Sequence, residues 1–129
     1  MSDVAQELPP VFFELERCKK WIEDALEYSG GTHDFKDIVD GVISGNMHLW
    51  SGDKSCTVTM FTVYPKKTLL HVFLAGGDLD EILEIEKSMV DFAKQNGCDG
   101  LTLSGRVGWK KVLRDIGWNE QFLTLKKEI

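Results

Sequence analysis

The side chains best suited to chemistry stand at only a few places in the chain. His71 lies in an apolar run, and an imidazole there is a candidate general base near neutral pH. Gly76 and Gly77 precede Asp78 at the junction of a predicted strand and helix, where backbone N–H groups can meet an anion. Arg106 opens a later helix and can hold a phosphate or a carboxylate through paired hydrogen bonds.

Each of these candidates also has a purely structural interpretation. In a central strand, His71 can simply bond a backbone carbonyl or lie at the sheet edge. The paired glycines can form a tight strand-to-helix turn, and the carboxylate of Asp78 favours that interpretation. Arg106 can be an ordinary charged surface residue. The residues alone leave these alternatives open.

The cysteines predict neither a disulfide framework nor a zinc site. Cys18, Cys56 and Cys98 are odd in number, far apart and without a Cys-x-x-Cys pair. We expect reduced thiols, as in a cytosolic protein. Cys56 has no base beside it in sequence and no helix N-terminus to lower its pKa, so we interpret it as a packed residue.

Length and charge restrict the class of protein. A chain of 129 residues fits one domain, which we expect over residues 11–129 after a flexible lead at 1–10. The net charge of −6 disfavours a general nucleic-acid binder and a protein that docks on anionic membranes. The lead is polar, so we expect no signal peptide, and no apolar run approaches the length of a membrane span.

Apolar spacing predicts four helices. Apolar residues recur three and four positions apart in each of them, as on one face of a helix. Asp34 and Asp78 stand where N-caps are expected, and Asp78 has capping-box spacing to Glu81. Glycines follow the helices, as is usual at C-termini. The predicted ranges are 18–26, 34–44, 78–96 and 106–116.

Between and after these helices the sequence predicts strands. Residues of high strand propensity occur at 47–50, 56–64, 68–75, 101–103 and 121–127. We expect the first three to form an antiparallel meander, and 68–75 to be a central strand covered on both faces. A right-handed β-α-β crossover would then place 101–103 parallel to it. The prediction is an α/β fold of mixed α+β character, with a mixed sheet and helices on both faces.

This order resembles the GNAT acyltransferase superfamily. The matching segments are LLHVFLAGG, DLDEILEIEKSMVDFAKQNGC, LTLSG, RVGWKKVLRDI and GW. Three more, WIEDALEYSGGTHDF, MHLWSG and GRVGWKKVLRDIGW, resemble a group of small GNAT-like proteins of tailed bacteriophages. The resemblance implies a GNAT-like fold and acetyl-CoA as cofactor, without a metal. It also implies a place in the host cytoplasm or the virion, with other virion proteins or a second copy as partner.

The chain departs from the family at the positions that carry its chemistry. The family's pyrophosphate loop is Gln or Arg, then x-x-Gly-x, then Gly or Ala. If Gly76 is the first glycine of that pattern, Phe73 takes the Gln or Arg position and Asp78 takes the last one. If Gly77 is the first glycine, Leu74 and Leu79 take those positions, so the pattern fails in both alignments. The family's general-acid tyrosine corresponds to Leu113, and His71 becomes the candidate catalytic residue by position. By their place at this loop and at the start of the last helix, the candidate cofactor-binding residues are Leu74, Ala75, Gly76, Gly77, Asp78 and Arg106.

Three functions follow as alternatives. The first is a GNAT-fold phage protein with a degenerate cofactor loop and weak or absent catalysis. The second is an active acetyl-CoA-dependent N-acetyltransferase. The third is a structural or assembly component of a virion. The carboxylates that crowd the start of the long helix favour the first, because they repel phosphate there.

Overall fold

A computed structural model describes residues 9–129, and most of the predicted lead lies outside the described residues. Its helices are α1 (Pro10–Leu26), α2 (Phe35–Ser44), α3 (Leu79–Gln95) and α4 (Val107–Arg114). Its strands are β1 (His48–Ser51), β2 (Ser55–Val63), β3 (Thr68–Gly77) and β4 (Gly100–Leu103). All four predicted helices and four of the five predicted strands are therefore present.

Helix α1 begins earlier than the apolar spacing predicted. Pro9 is extended, with ψ of 147°, and Pro10 is the first helical residue. Proline suits that position because its missing N–H has no partner in a helix and its φ is already helical. The short apolar segment 11–13 therefore belongs to α1.

The predicted helix ends have clear physical causes. Asp34 and Asp37 form a reciprocal capping box at the start of α2, and Gly45 ends that helix with φ of 86°. At the end of α3, the N–H of Cys98 donates to the carbonyl of Ala93 at 2.9 Å. That bond encloses Gly97, whose φ of 73° suits glycine.

The sheet has the order β1-β2-β3-β4, antiparallel over its first three strands and parallel between β3 and β4. A bulge interrupts β3, because Val58 pairs with Leu74 whereas Thr59 pairs with Val72, leaving Phe73 without a partner. An extra residue changes which face the following side chains meet. Val72 accordingly belongs to the core on the α3 face and Leu74 to the core under α1 and α2.

Two hydrophobic cores lie on opposite faces of the sheet, as expected for a sheet covered on both sides. The core under α1 and α2 includes the fully buried Leu15, Ile22 and Ile38. Cys18 and Cys56 are fully buried in the same core, and burial raises the pKa of both thiols. Both are packed residues, as the sequence predicted for Cys56.

The predicted strand at 121–127 is wrong. The chain has no helix or strand after Arg114, and residues 119–129 are exposed. A strand forms only when a neighbour satisfies its backbone, and strand propensity alone does not supply that neighbour. Within residues 9–129, β4 is therefore an edge strand of the sheet.

Candidate functional site

A cleft opens where β3 and β4 separate. The two strands pair only from Leu69 with Gly100 to Val72 with Leu103. Beyond that point β3 continues to Gly77, whereas the chain leaves β4 toward α4. The gap between them is a cavity of about 420 Å³. Its walls come from the end of α1, the middle of α3, the loop before α4, and α4 itself.

The bulge in β3 lies at the mouth of this gap. Phe73 is the extra residue, and it follows the last pair that β3 forms with β4. Because a bulge bends its strand and increases the local twist, it helps to part the two strands. His71, Leu74 and Ala75 line the cleft on either side of Phe73, so the structure brings these predicted site residues together.

His71 is half-buried in the wall of the cleft. Its Nδ1 lies 3.0 Å from the hydroxyl oxygen of Thr102 on β4. Burial lowers the pKa of the imidazole below its ordinary value, which favours the neutral form at pH 7. A neutral histidine held on one nitrogen by Thr102 keeps the other nitrogen for a ligand or a proton.

A second histidine, His48, is held on the α3 face of the sheet. Its Nδ1 lies 3.0 Å from the hydroxyl of Thr59. Its ring packs edge-on against Phe61 and Phe92, with centroids 4.8 and 5.1 Å away. Burial lowers the pKa of this imidazole too. His48 does not line the cleft and is a packing residue.

We expect the free energy of unfolding to fall as the pH drops from 7.5 to 5.5. His48 and His71 have lowered pKa values in the folded state, so the unfolded chain binds more protons once the pH passes below about 6.5. Urea titrations at several pH values measure this loss. In the double variant His48→Gln/His71→Gln, the free energy of unfolding should change less with pH over that range. A dependence on pH as steep as that of the natural protein would contradict the lowered pKa values of the two histidines.

Carboxylates titrate at lower pH than histidines, so their effect on stability can be distinguished from that of His48 and His71. Hydrogen bonds from Arg17 and then Ser51 lower the pKa of Glu14 to about 2. A carboxylate whose pKa is lowered by folding stabilises the folded state at pH values above its unfolded-state pKa. That stabilisation is lost as the pH falls through the folded-state pKa. Since the ordinary value is about 4.3, measurements above pH 5 report mainly on the histidines.

The turn from β3 to α3 is closed against its neighbours. A Cβ on Gly76 would lie 2.7 Å from the carbonyl oxygen of Trp21 on α1. Gly77 has φ of 105° and packs against the backbone of Lys54 and Ser55 in the β1–β2 hairpin. The N–H of Asp78 then donates to the carbonyl of Lys54 at 2.9 Å. Both glycines are thus required by close approach.

Side chains already occupy part of the start of α3. The carboxylate of Asp78 accepts from the N–H of Glu81 at 3.0 Å. Only this half of the predicted capping box forms, because the carboxylate of Glu81 accepts instead from the Lys54 N–H, at 3.0 Å, and from the Ser55 hydroxyl. Those two hydrogen bonds lower the pKa of Glu81 and favour its charged form.

Arg106 lies across the cleft from that turn. Its guanidinium stacks over the ring of Tyr28, 4.0 Å from the ring centroid. A shallow depression beside the cleft is lined by Arg106, Tyr28, Gly76 and Gly77 together. The structure therefore brings Ala75, Gly76, Gly77 and Arg106 to one place, whereas the predicted Leu74 lines only the cleft and Asp78 lines neither. Asp24 and Glu27 line the same depression and oppose the positive charge of Arg106.

No protein-family model and no curated protein matches the sequence. Several solved structures do match its fold. A possible acetyltransferase from Clostridium difficile 630 has a TM-score of 0.64 at 12% identity, over 90% of this chain and 91% of its own. An Arabidopsis thaliana glucosamine-6-phosphate N-acetyltransferase has a TM-score of 0.58 at 13% identity, over 74% and 76%. A Trypanosoma brucei acetyltransferase has a TM-score of 0.56 at 10% identity, over 74% and 78%.

The chain has a GNAT acetyltransferase fold. The fold predicted from the sequence is therefore confirmed, apart from the last strand. At identities this low the likeness is one of fold, and activity has to be argued from the site.

Within the GNAT fold, the residue at the predicted general-acid position is unreactive. Leu113 is buried on α4, lines the cleft and has no proton to donate. Trp109 is half-buried in the cleft wall. Trp118 packs on the α3 core, and its indole N–H donates to Glu86 at 2.9 Å.

Sequence reasoning missed Thr57, which lines the cleft from β2. Its side chain is fully buried, and among the described residues its hydroxyl has no hydrogen-bond partner. An unsatisfied buried hydroxyl costs about 1–3 kcal/mol. In the sequence Thr57 is one β-branched strand residue among several, so only the three-dimensional position distinguishes it.

Between residues 9 and 129 no three His, Cys, Asp or Glu side chains are grouped so as to hold a metal ion. No helix in that part of the chain is both long and apolar enough to cross a membrane.

Proposed function

We propose that this protein is an acetyltransferase-like member of the GNAT fold with weak or absent acetyl transfer. The observation that carries the proposal is the start of α3, where Asp78 caps the Glu81 N–H and Glu81 is bound to the β1–β2 hairpin. In a strand–turn–helix site, phosphates bind to free N–H groups at the positive end of the helix. Here the carboxylate of Asp78 already accepts from one of those groups, the N–H of Glu81.

Charge supports the same conclusion. Asp80 and Glu81 lie in the first turn of α3, next to the capping Asp78, and Glu84 follows one turn later. Carboxylates stabilise a helix N-terminus by themselves and repel a second anion there. Arg106 faces this turn but already stacks on Tyr28 and lies near Asp24 and Glu27. The residues present do not fit the pyrophosphate of acetyl-CoA.

The apolar cleft is the part of the site that suits a ligand. A cavity of about 420 Å³ with Thr57 and His71 in its walls falls in the size range of small-molecule sites. We infer that it takes an uncharged or weakly charged ligand more readily than a nucleotide. The side chains of Ser29, His71 and Ser104 are among the polar groups in the cleft wall that can orient that ligand.

Removing charge from the start of α3 should create binding of acetyl-CoA. We expect no heat of binding for the natural protein at millimolar acetyl-CoA, and a measurable affinity for Asp78→Gly/Asp80→Asn. Glycine removes the charge and frees the N–H of Glu81, and at the N-cap it costs the helix only a few tenths of a kcal/mol. A tenfold gain in affinity corresponds to about 1.4 kcal/mol. Each charge at a helix N-terminus contributes about 0.3–1 kcal/mol, so removing two charges of the same sign as the phosphates should give a gain of roughly that size. Isothermal titration calorimetry measures it.

Asp91→Asn is the matched control for this experiment. Asp91 is exposed on the same helix, away from its first turn. It should leave the titration unchanged. Tight binding of acetyl-CoA by the natural protein, or an equal gain from Asp91→Asn, would refute the proposal.

A second candidate is an active N-acetyltransferase. The observation that favours it is His71, whose imidazole is biased toward the neutral form beside the cleft and can accept a proton from an amine. Binding of acetyl-CoA by the natural protein in the titration above would favour this candidate over the first.

A third candidate is a component of a phage particle. It rests on the resemblance to phage proteins and on the exposed apolar residues that follow Trp118. Finding the protein in purified virions would support it, and finding it only in the host cell extract would argue against it.

A further inference from the structure

Glu86 on α3 brings a carboxylate to the wall of the apolar cleft. The side chain is half-buried, and its Oε2 accepts a hydrogen bond from the indole N–H of Trp118 at 2.9 Å. Within residues 9–129 Glu86 forms no ion pair, whereas the neighbouring Lys87 pairs with Glu84 at 2.6 Å. A carboxylate whose partner is a neutral indole keeps a negative charge in the cleft that the protein does not pair.

Two tryptophans share this wall of the cleft with Glu86. The backbone N–H of Trp118 donates to the carbonyl of Leu113 at 3.2 Å, so the indole that bonds Glu86 is joined to the end of α4. Trp109 precedes Leu113 by four residues on α4, which places both on one face of that helix, and both line the cleft. Met89 lines it from α3, one turn after Glu86. The wall therefore combines one carboxylate with indole rings and aliphatic side chains.

The remaining charges of the cleft leave Glu86 unpaired. Among the described residues, Arg106 is the one that brings a guanidinium to the cleft wall. It is exposed, and it also lines the neighbouring depression, where Asp24 and Glu27 oppose its charge. Burial lowers the pKa of His71, which favours the neutral imidazole there. A ligand with a single positive charge and an apolar body therefore complements the interior of the cleft.

We propose that the cleft binds a methylated ammonium ion, with Glu86 opposite its charge and with Trp109 and Trp118 against its methyl groups. Indole rings attract such cations electrostatically, and aromatic walls are a general means of binding quaternary ammonium groups. A primary ammonium fits less well, because it has three N–H donors to satisfy and Leu113 and Met89 offer no strong acceptor.

This inference rests on the proposed function, because acetyl-CoA would compete for the same cleft. It also agrees with that function in its chemistry. A quaternary ammonium has no N–H and cannot be acylated on nitrogen, so such a ligand would be bound and not turned over.

Choline and two matched probes test the charge and the methyl groups separately. We expect calorimetry at constant ionic strength to give choline a Kd of about 1 mM or lower on the natural protein. The neutral alcohol in which carbon replaces the nitrogen of choline keeps the shape without the charge, and ethanolamine keeps the charge without the methyl groups. Both should bind roughly tenfold more weakly. Choline that does not bind, or that binds no more tightly than either probe, would overturn the proposal.

Two variants and a control test the residues. Glu86→Gln retains an oxygen for the Trp118 indole but loses the charge, so it should weaken choline binding about tenfold. Trp109→Leu should weaken it about fivefold, because the aromatic ring is lost. Glu84→Gln removes the same charge from an exposed position on the same helix, and it should leave the Kd unchanged. Equal losses from Glu86→Gln and Glu84→Gln would refute the role of Glu86.

An acetyl-CoA titration of the same samples separates this inference from the proposed function. If the natural protein binds neither choline nor acetyl-CoA, the assignment of the ligand is wrong and the proposed function stands. If it binds acetyl-CoA, the proposed function is wrong, and competition between choline and acetyl-CoA would still support a cation site in the cleft.

Discussion

A Gly77→Ala variant is expected to lose about 3 kcal/mol of the free energy of unfolding, summed from positive-φ strain of about 1–2 and overpacking of about 1–3. Gly77 has φ of 105°, and an added Cβ would lie 2.6 Å from the Cα of Ser55 and also clash with the Lys54 carbonyl oxygen. These are backbone atoms, so no rotamer change relieves the overlap. Urea unfolding followed by tryptophan fluorescence measures the loss.

Gly97→Ala is the control that separates strain from crowding. Gly97 has φ of 73°, but a Cβ there would meet no atom within 4 Å. Its loss should therefore be confined to the backbone strain, at about 1–2 kcal/mol. Equal losses for the two variants would mean that the turn from β3 to α3 is not packed against the hairpin as described.

The same packing explains why the turn is a poor anion site. Gly77 brings the turn against Lys54, the Asp78 N–H then bonds to Lys54, and Glu81 reaches back to the same hairpin. The turn, the first turn of α3 and the β1–β2 hairpin are thus bonded to one another at the place where a ligand would have to enter. The Glu81 carboxylate in particular is used for structure. The proposal of weak acetyl transfer depends on this arrangement.

Local signals were sufficient to predict most of the fold. The capping aspartates, the helix-ending glycines and the change in apolar spacing are all short-range features, and each of them identified an element that the structure contains. The bulge at Phe73 gave no such signal. In an apolar run covered on both faces, shifting the alternation by one residue leaves the sequence pattern unchanged.

The site was predictable only in part, because it depends on which distant residues meet. His71 and Gly76 could be named from their positions along the chain. Tyr28 and Thr57 could not, since they come from the turn after α1 and from β2 and carry no motif. The strand expected at 121–127 failed for the related reason that pairing is a property of two segments.

Ile22→Ala is expected to lose about 3 kcal/mol of the free energy of unfolding, within the 2–5 kcal/mol typical of such buried truncations. Ile22 is fully buried in the core under α1 and α2, beside Cys18 and Leu74, and α1 continues from there to the cleft at Ala25. Ile22→Val should lose about 1 kcal/mol, and Ile43→Ala, at a position 45% exposed, should lose less than Ile22→Ala. Equal losses from Ile22→Ala and Ile43→Ala would mean that α1 does not cover this face of the sheet, and the cleft would then lack the wall that α1 provides.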